Sequence, residues 1–258
     1  MNNYSGQFTA FKAIVTKEIL RFARIWMQTL LPPVITTTLY FIIFGELIGE
    51  RIGKMDGYNY IDFIVPGLIL MAVISNSYAN VVSSFYGSKF QRNIEELIVS
   101  PVPNWIILAG YVAGGVARGV AVGCAVTVVS LIFSDIQIYN YLLTLSVFLL
   151  TSIVFALAGF INAVYARTFD DISIIPTFIL TPLTYLGGVF YSIQMLPEFW
   201  QQVSLLNPVL YMISAFRFGL LGISDIPVLS ALMVILFFII ALTLFSLHLL
   251  HKGTGIKS

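Results

Sequence analysis

Hydrophobic positions in this chain follow two patterns, a helical stripe near the N-terminus and long uncharged runs after it. Residues 7–24 place Phe8, Phe11, Val15, Ile19 and Phe22 on one helical face, with Lys17, Arg21 and Arg24 opposite, which is the mark of an amphipathic helix. Such a helix is expected to lie along a membrane surface with its basic side toward the headgroups. From Ile25 the stripe gives way to apolar runs at 25–45, 63–85, 105–133, 141–166, 172–192 and 226–250. Each is long enough to cross ~30 Å of hydrocarbon, which takes about 20 residues in a helix. Pro32 and Pro33 fall in the first run and are expected to kink or loosen it. The pattern therefore predicts an all-α polytopic membrane protein with six transmembrane helices behind an N-terminal interfacial helix.

Residues 194–222, before the last run, follow neither pattern. Pro197 and Pro208 each interrupt a helix. Between them Leu196, Phe199, Trp200, Val203 and Leu206 recur at helical spacing, and Leu210, Ile213, Phe216 and Leu220 repeat the spacing afterwards. Two short helices follow from this, a re-entrant pair that dips into the membrane and returns. Broken backbone at that depth survives only when buried in protein or lining a cavity.

Composition agrees with a membrane protein. Of 258 residues, 59% are hydrophobic and 10% charged, against about 25% charged in soluble domains, and mean hydropathy is +0.95. The single cysteine, Cys124, rules out an intrachain disulfide. The first apolar run begins behind a long charged segment and has the length of a full span, so no cleavable signal peptide is expected. The net charge of +1 says little, because the basic residues are placed rather than scattered. With both termini on one side, that side gathers Lys12, Lys17, Arg21, Arg24, Lys89, Arg92, Arg167, Lys252 and Lys257. Arg51, Lys54 and Arg217 fall on the other side, and Arg118 lies within a span. The lysine and arginine bias makes the first side cytoplasmic. No nucleic-acid partner is expected.

Few groups could carry chemistry. In Lys89–Pro103, Phe90, Ile94, Leu97 and Ile98 make an apolar stripe with Lys89, Arg92 and Glu96 facing away. Glu95 and Glu96 are expected near the end of a helix that Pro101 stops, where the dipole disfavours acids. Arg92 precedes Glu96 by four residues, the weaker order for a helical ion pair. Helix stability does not account for these glutamates, which leaves an ordinary solvated loop helix or a surface with another purpose. Arg118 lies mid-span beside Gly114, Gly115 and Gly119, where a charge costs at least ~2.5 kcal/mol. It is either a structural arginine satisfied by neighbouring spans or a charge at a transport cavity. Ser75, Asn76, Ser77, Asn80, Ser83 and Ser84 give the second span unusual polarity, which more often joins helices than lines a pathway. Thr168 and Asp171 have capping-box spacing. His248 and His251 offer no metal-site spacing, and no metal is expected. No G-x-x-x-x-G-K-[ST] sequence occurs, so the chain cannot hold ATP phosphates by that loop, and no enzymatic centre is visible.

The run Leu180, Leu183, Leu186, Gly187, Val189, Leu196, Pro197, Pro208, Tyr211, Arg217 resembles the membrane-domain signature of ABC-2 type exporter permeases. It departs at Val209, where that pattern prefers Leu, Ile, Met, Phe or Thr. Arg24–Gly45, Lys89–Pro103 and Arg167–Ser192 are also similar to inner-membrane permeases of the family, so the likeness covers nearly the whole chain as one domain. It implies that 89–103 is a coupling helix seated in a cleft of a separate ABC ATPase subunit. Lys89, Phe90, Arg92, Asn93, Glu95, Glu96, Leu97 and Pro101 would meet that subunit, with Lys17 and Arg21 of the N-terminal helix beside them. ATP and Mg would sit on the partner, leaving no cofactor on this chain, and a second copy would complete an alternating-access pathway surrounded by membrane lipid. Arg118, Phe199, Trp200, Tyr211 and Arg217 are the candidates for pathway or gate, the re-entrant pair roofing the outer end. The alternative is an ATP-independent channel or an ion-coupled carrier, although carriers usually place acids or histidines within spans and none is evident here.

Overall fold

The computed structural model describes residues 3–135, 137–253 and 255; Lys257 and the side chain of Ile98 lie outside the described residues. The helices are α1 (Asn3–Arg24), α2 (Trp26–Tyr40), α3 (Gly49–Ile52), α4 (Tyr60–Phe90), α5 (Asn93–Val99) and α6 (Asn104–Phe133). After these come α7 (Tyr141–Tyr165), α8 (Asp171–Ile175), α9 (Thr181–Tyr185), α10 (Glu198–Leu205), α11 (Pro208–Leu221) and α12 (Val228–Lys252). A π-helical stretch, Phe41–Leu47, extends α2, and another, Pro176–Leu180, joins α8 to α9. Among the described residues the strands are a two-residue hairpin, β1 (Lys54–Met55) paired with β2 (Tyr58–Asn59). The fold is all-α and polytopic, as the hydrophobic pattern requires. Five helices are long and apolar enough to cross a bilayer, Trp26–Gly45, α4, α6, α7 and α12, and the bent pair α10–α11 makes a sixth if it is one broken span.

α4 is the hub. It packs against α6, α7 and α11, and 78% of its most apolar stretch is buried, against 11% for α12. Lipid supplies no hydrophobic drive between helices, so close approach and polar bonds hold them together. A methyl group at Gly159 would lie 2.6 Å from the Tyr78 carbonyl oxygen, which shows how tightly α7 meets α4. The Ser77 and Ser152 hydroxyls bridge the same pair at 2.7 Å.

α1, the C-terminal ends of α4 and α7, and the residue Gly255 after α12 come together at one end of the bundle. There Lys89 donates to the Val164 and Ala166 carbonyls at 2.8 and 2.7 Å, Lys17 of α1 reaches Ser88, and Gly255 approaches the Val164 carbonyl. α5 hangs from this end. At the opposite end Tyr58 donates to the Leu221 carbonyl, and the Asn140 amide to that of Gly219.

Local structure departs from the hydrophobic pattern in three places. The protein-facing side of α1 carries Ile14 and Glu18, while Phe8 and Ile19 of the expected stripe are exposed. A methyl at Gly110 would meet Ile14 Cγ2 at 2.5 Å, and one at Gly114 would strike Glu18. Both pairs advance by four residues, so α1 runs alongside α6 in a groove made by two glycines one turn apart. The run at 172–192 is helical only from Asp171 to Tyr185, in three five-residue pieces. At 1.5 Å per residue that is roughly 22 Å, and the non-helical residues to Phe190 carry the run on, from the Tyr86 end of α4, where Arg167 lies, to the Tyr60 end, where Phe190 lies. On the way the chain turns, with Gly188 at φ 77°, a conformation glycine adopts without steric cost. Finally, α2 continues through Pro32 and Pro33. The prolines lack the amides that would bond the Gln28 and Thr29 carbonyls.

The Thr168 capping box is formed. The Thr168 hydroxyl accepts the Asp171 amide at 3.2 Å, and the Asp171 carboxylate accepts the Arg167 and Thr168 amides at 2.8 and 3.0 Å. These two backbone bonds hold its carboxyl below the ordinary range against an opposing desolvation, with lesser help from the Thr168 hydroxyl and the Arg167 charge.

Candidate functional site

At the end where Lys89 meets α7, α4 gives way to α5 through Arg92, which adopts left-handed backbone at φ 60°. That turn starts α5 at Asn93 and puts Glu95 and Glu96 in its first turn, where the helix dipole favours acids. This corrects the expectation that they occupy a disfavoured C-terminal end. Arg92 stands outside the helix, so it makes no i,i+4 pair with Glu96. Ile94 is buried beneath α5 and Leu97 half-buried, whereas Phe90, Arg92, Asn93, Glu95, Glu96 and Pro101 are exposed. Val99, 86% exposed, adds an apolar tip. The Phe90 ring leans edge-on against Phe169 at 5.1 Å, and Phe169 in turn against Tyr86 at 4.9 Å.

The basic members of the candidate coupling set behave differently. Lys89 caps the C-terminal carbonyls of α7, as described, and does not face outward. Lys17 hydrogen-bonds Ser88 at 3.2 Å and sits 5.4 Å from the Tyr111 ring. Arg21 donates to both the carbonyl and side-chain oxygens of Asn80, each at 2.8 Å. These bonds lash α1, α4 and α7 together. Their centre is Glu18, 0% exposed, which accepts from Ser84 at 2.5 Å and has Arg21 at 3.5 Å and Lys17 at 3.8 Å. Glu18 is not among the residues that the stripe singles out. Gly110 and Gly114 on α6, spaced like Ile14 and Glu18, were the signal that could have found it.

Between α2, α4 and α6 lies an open-sided cavity of about 310 Å3. Arg118 and Asn76 form its inner wall, with Ser75, Gln28, Thr36 and Tyr40 around them. Arg118 donates one hydrogen bond, to the Asn76 side-chain oxygen at 3.3 Å, and its buried Nε has no partner among the described residues. The polar residues of α4 thus divide between roles: Ser77, Asn80 and Ser84 join helices, while Ser75 and Asn76 face this cavity. Tyr40 closes the far wall, its hydroxyl 2.7 Å from that of Tyr185. Phe44, Phe190 and Tyr185 gather around it, with neighbouring ring centroids 5.0–5.8 Å apart. This aromatic cluster went unnoticed in the sequence because α2 and the Gly188 turn are far apart in the chain.

The re-entrant pair bends by 90° between α10 and α11. Asn207 fixes the corner: its side chain accepts the Val209 amide at 3.0 Å and donates to the Leu183 carbonyl at 2.7 Å. Tyr211 ties the two helices by donating to the Leu205 carbonyl at 2.9 Å. Phe199 and Trp200 meet edge to face at 5.4 Å on a side left uncovered by this chain. Arg217 is 1% exposed, pairs with Asp225 at 3.2 Å, donates to the Gly188 carbonyl at 2.5 Å and lies 3.9 Å from the centre of the Phe63 ring. Ser192 donates to the same Asp225. Tyr211 therefore ties the corner, while Arg217 holds the Gly188 turn to Asp225 and borders a polar pocket of about 240 Å3 with Asp56, Gln194 and Ser224. None of Phe199, Trp200, Tyr211 and Arg217 borders the Arg118 cavity.

A family model described as ABC-2 type transporter matches residues 9–221. Over 251 residues the chain is 59% identical to the inner membrane transport permease YadH of Escherichia coli K12, covering 97% of this chain and 98% of that protein. The Shigella flexneri protein of the same name matches equally. More distantly, nodulation protein J of Rhizobium meliloti is 23% identical over 211 residues, covering 81% of this chain and 80% of that protein.

Proposed function

The chain belongs to the ABC-2 type transporter family, and from that membership we propose that it is the permease of an ATP-driven exporter in the bacterial inner membrane. In this reading two copies pair over two separate ATPase subunits, and both termini face the cytoplasm. The sequence lacks a phosphate-binding loop of the G-x-x-x-x-G-K-[ST] kind, so ATP and Mg belong to the partner. The observation that carries the proposal is the outward face of α5. Ile94 anchors it, while Glu95, Glu96, Arg92, Asn93, Phe90 and Val99 are offered to something outside the chain.

Force delivered to that face has a direct route inward. α5 continues from α4, and α4 carries Ser75 and Asn76 on the cavity wall. Lys89 and Arg21 bind α7 and α1 to the same rod, so the three helices move as one body against α2. Closing the ATPases would then change the width of the cavity between α2 and α4. The re-entrant pair is the outer roof, and Phe199 and Trp200 on its uncovered side close the exit against the second copy. Short elements with few buried contacts open at modest cost, and α10 has eight residues.

Co-expression with an ABC ATPase subunit tests the reading. The complex is expected to co-purify and hydrolyse ATP, and Glu95→Ala with Glu96→Ala is expected to leave the permease folded but weaken the association. Failure of the parent to associate with any ATP-binding subunit would favour an ATP-independent channel or carrier.

A further inference from the structure

Two arginines lie within the apolar body of this protein, and their surroundings differ. Arg217 has a carboxylate, a carbonyl and an aromatic face. A buried charge in a stable fold is satisfied in this way. Arg118 has one neutral amide oxygen at 3.3 Å, and a buried Nε without a hydrogen-bond partner is common to both arginines. No aspartate or glutamate lines its cavity. Glu18 is already engaged by Ser84, Arg21 and Lys17.

Around this uncompensated cation the lining is mixed, with Pro32, Pro33, Leu68, Met71 and Ala72 apolar and Gln28, Thr36, Ser75 and Asn76 polar. Gln28, Thr36 and Ser75 face the cavity without a hydrogen-bond partner among the described residues, and Pro32 and Pro33 leave the Gln28 and Thr29 carbonyls without their usual amide partners. The donors can hold oxygen anions and the carbonyls can accept hydroxyl hydrogens. A volume of about 310 Å3 is near the lower limit of small-molecule pockets, so it admits a headgroup rather than a whole amphiphile.

We propose that the cavity between α2, α4 and α6 is an oxyanion-binding site, with Arg118 as the anion-binding residue for the phosphate-bearing, hydroxylated head of an amphiphile. This rests on the permease reading for its role in export, but not for the binding itself. The guanidinium fork suits two phosphate oxygens at once; Asn76 holds Nη2 in place, while Nη1 makes no hydrogen bond among the described residues.

The test uses the full chain in nanodiscs of phosphatidylcholine, titrated with phosphatidic acid and, separately, with inorganic phosphate, binding being read by native mass spectrometry and thermal shift. Phosphatidic acid is expected to bind at least tenfold more tightly than phosphatidylcholine. Competition by inorganic phosphate would show that the site takes the free ion, and lack of it that the site needs the amphiphile. Arg118→Gln is expected to remove the preference and Arg118→Lys to retain part of it. Asn76→Asp keeps the arginine and supplies an internal carboxylate, so it too is expected to abolish the preference, and it serves if Arg118→Gln does not fold. No preference in the parent, or an equal preference in Asn76→Asp, overturns the proposal. Because no ATPase is present, either result leaves the permease reading to stand or fall on its own co-purification test.

Discussion

Replacing Arg217 with methionine separates a structural brace from an exit-lining charge. The side chain is 1% exposed and its partner Asp225 4%, at 3.2 Å. Removing one member of a buried ion pair costs about 3–5 kcal/mol, because the other charge is left without compensation. Stacking on Phe63, 3.9 Å from the ring centre, is worth up to about 2 kcal/mol when desolvated, and the bond to the Gly188 carbonyl is lost as well. These losses overlap and are not summed, so about 3 kcal/mol is a floor. For a chain of this size that is a fall in melting temperature of roughly 6–12 °C. Methionine keeps most of the volume, which leaves the orphaned Asp225 as the main cost. The double change Arg217→Met with Asp225→Asn is therefore expected to recover at least half of the loss. Circular-dichroism melts of the purified protein in one detergent would read all three variants. An exposed arginine at an exit would cost about 1 kcal/mol or less. An Arg217→Met protein that melts with the parent, or a double variant no better than the single one, would refute the brace.

Three further outcomes follow from particular contacts. Gly159→Ala would push a methyl to within 2.6 Å of the Tyr78 carbonyl. Backbone cannot yield as a side chain can, so about 1–3 kcal/mol should be lost, measurable as a lower melting temperature. Phe199→Ala with Trp200→Ala should leave folding intact, since both rings are uncovered, but make ATP hydrolysis by the complex less dependent on substrate; a tightly coupled, sealed double variant would exclude a gating role. The Asp171 carboxyl is held low by the Arg167 and Thr168 amides. A depressed folded pKa stabilises the cap above the unfolded value of about 3.9 and loses that stabilisation as pH falls through the folded value. Amide exchange at Arg167 and Thr168 should therefore accelerate only below about pH 4 relative to intrinsic rates, and Asp171→Asn should remove that transition.

What could be read from the sequence was decided by the range of the interactions involved. The spans were legible because each is a continuous apolar run, and the 90° corner because Pro197 and Pro208 punctuate it locally. The fifth run leaves helical geometry at Tyr185 because its last residues, through Gly188, serve a turn that Arg217 holds from another helix. The true start of α5 was hidden because Arg92, neither glycine nor proline, takes the left-handed turn, so nothing in the pattern moved the glutamates to the favourable end. The apolar stripe of α1 was real but did not say which face meets protein. Two glycines on α6 decide that, through a contact nearly a hundred residues away in the chain. Arg118 was visible as an expensive charge, but only the structure shows how little answers it.

The central claim is that α5 transmits the work of a separate ATPase to α4, and its most direct test is to ask what touches α5 in the membrane. Val99 is 86% exposed at the tip of the helix, and Ile240, on α12, is 60% exposed far from it. Each is replaced in turn by the photoreactive residue p-benzoylphenylalanine and irradiated in intact inner membranes. The account predicts that Val99 yields an adduct with a polypeptide carrying a Walker A loop, while Ile240 does not. A folded protein whose Val99 position yields no adduct with any ATP-binding polypeptide would contradict it.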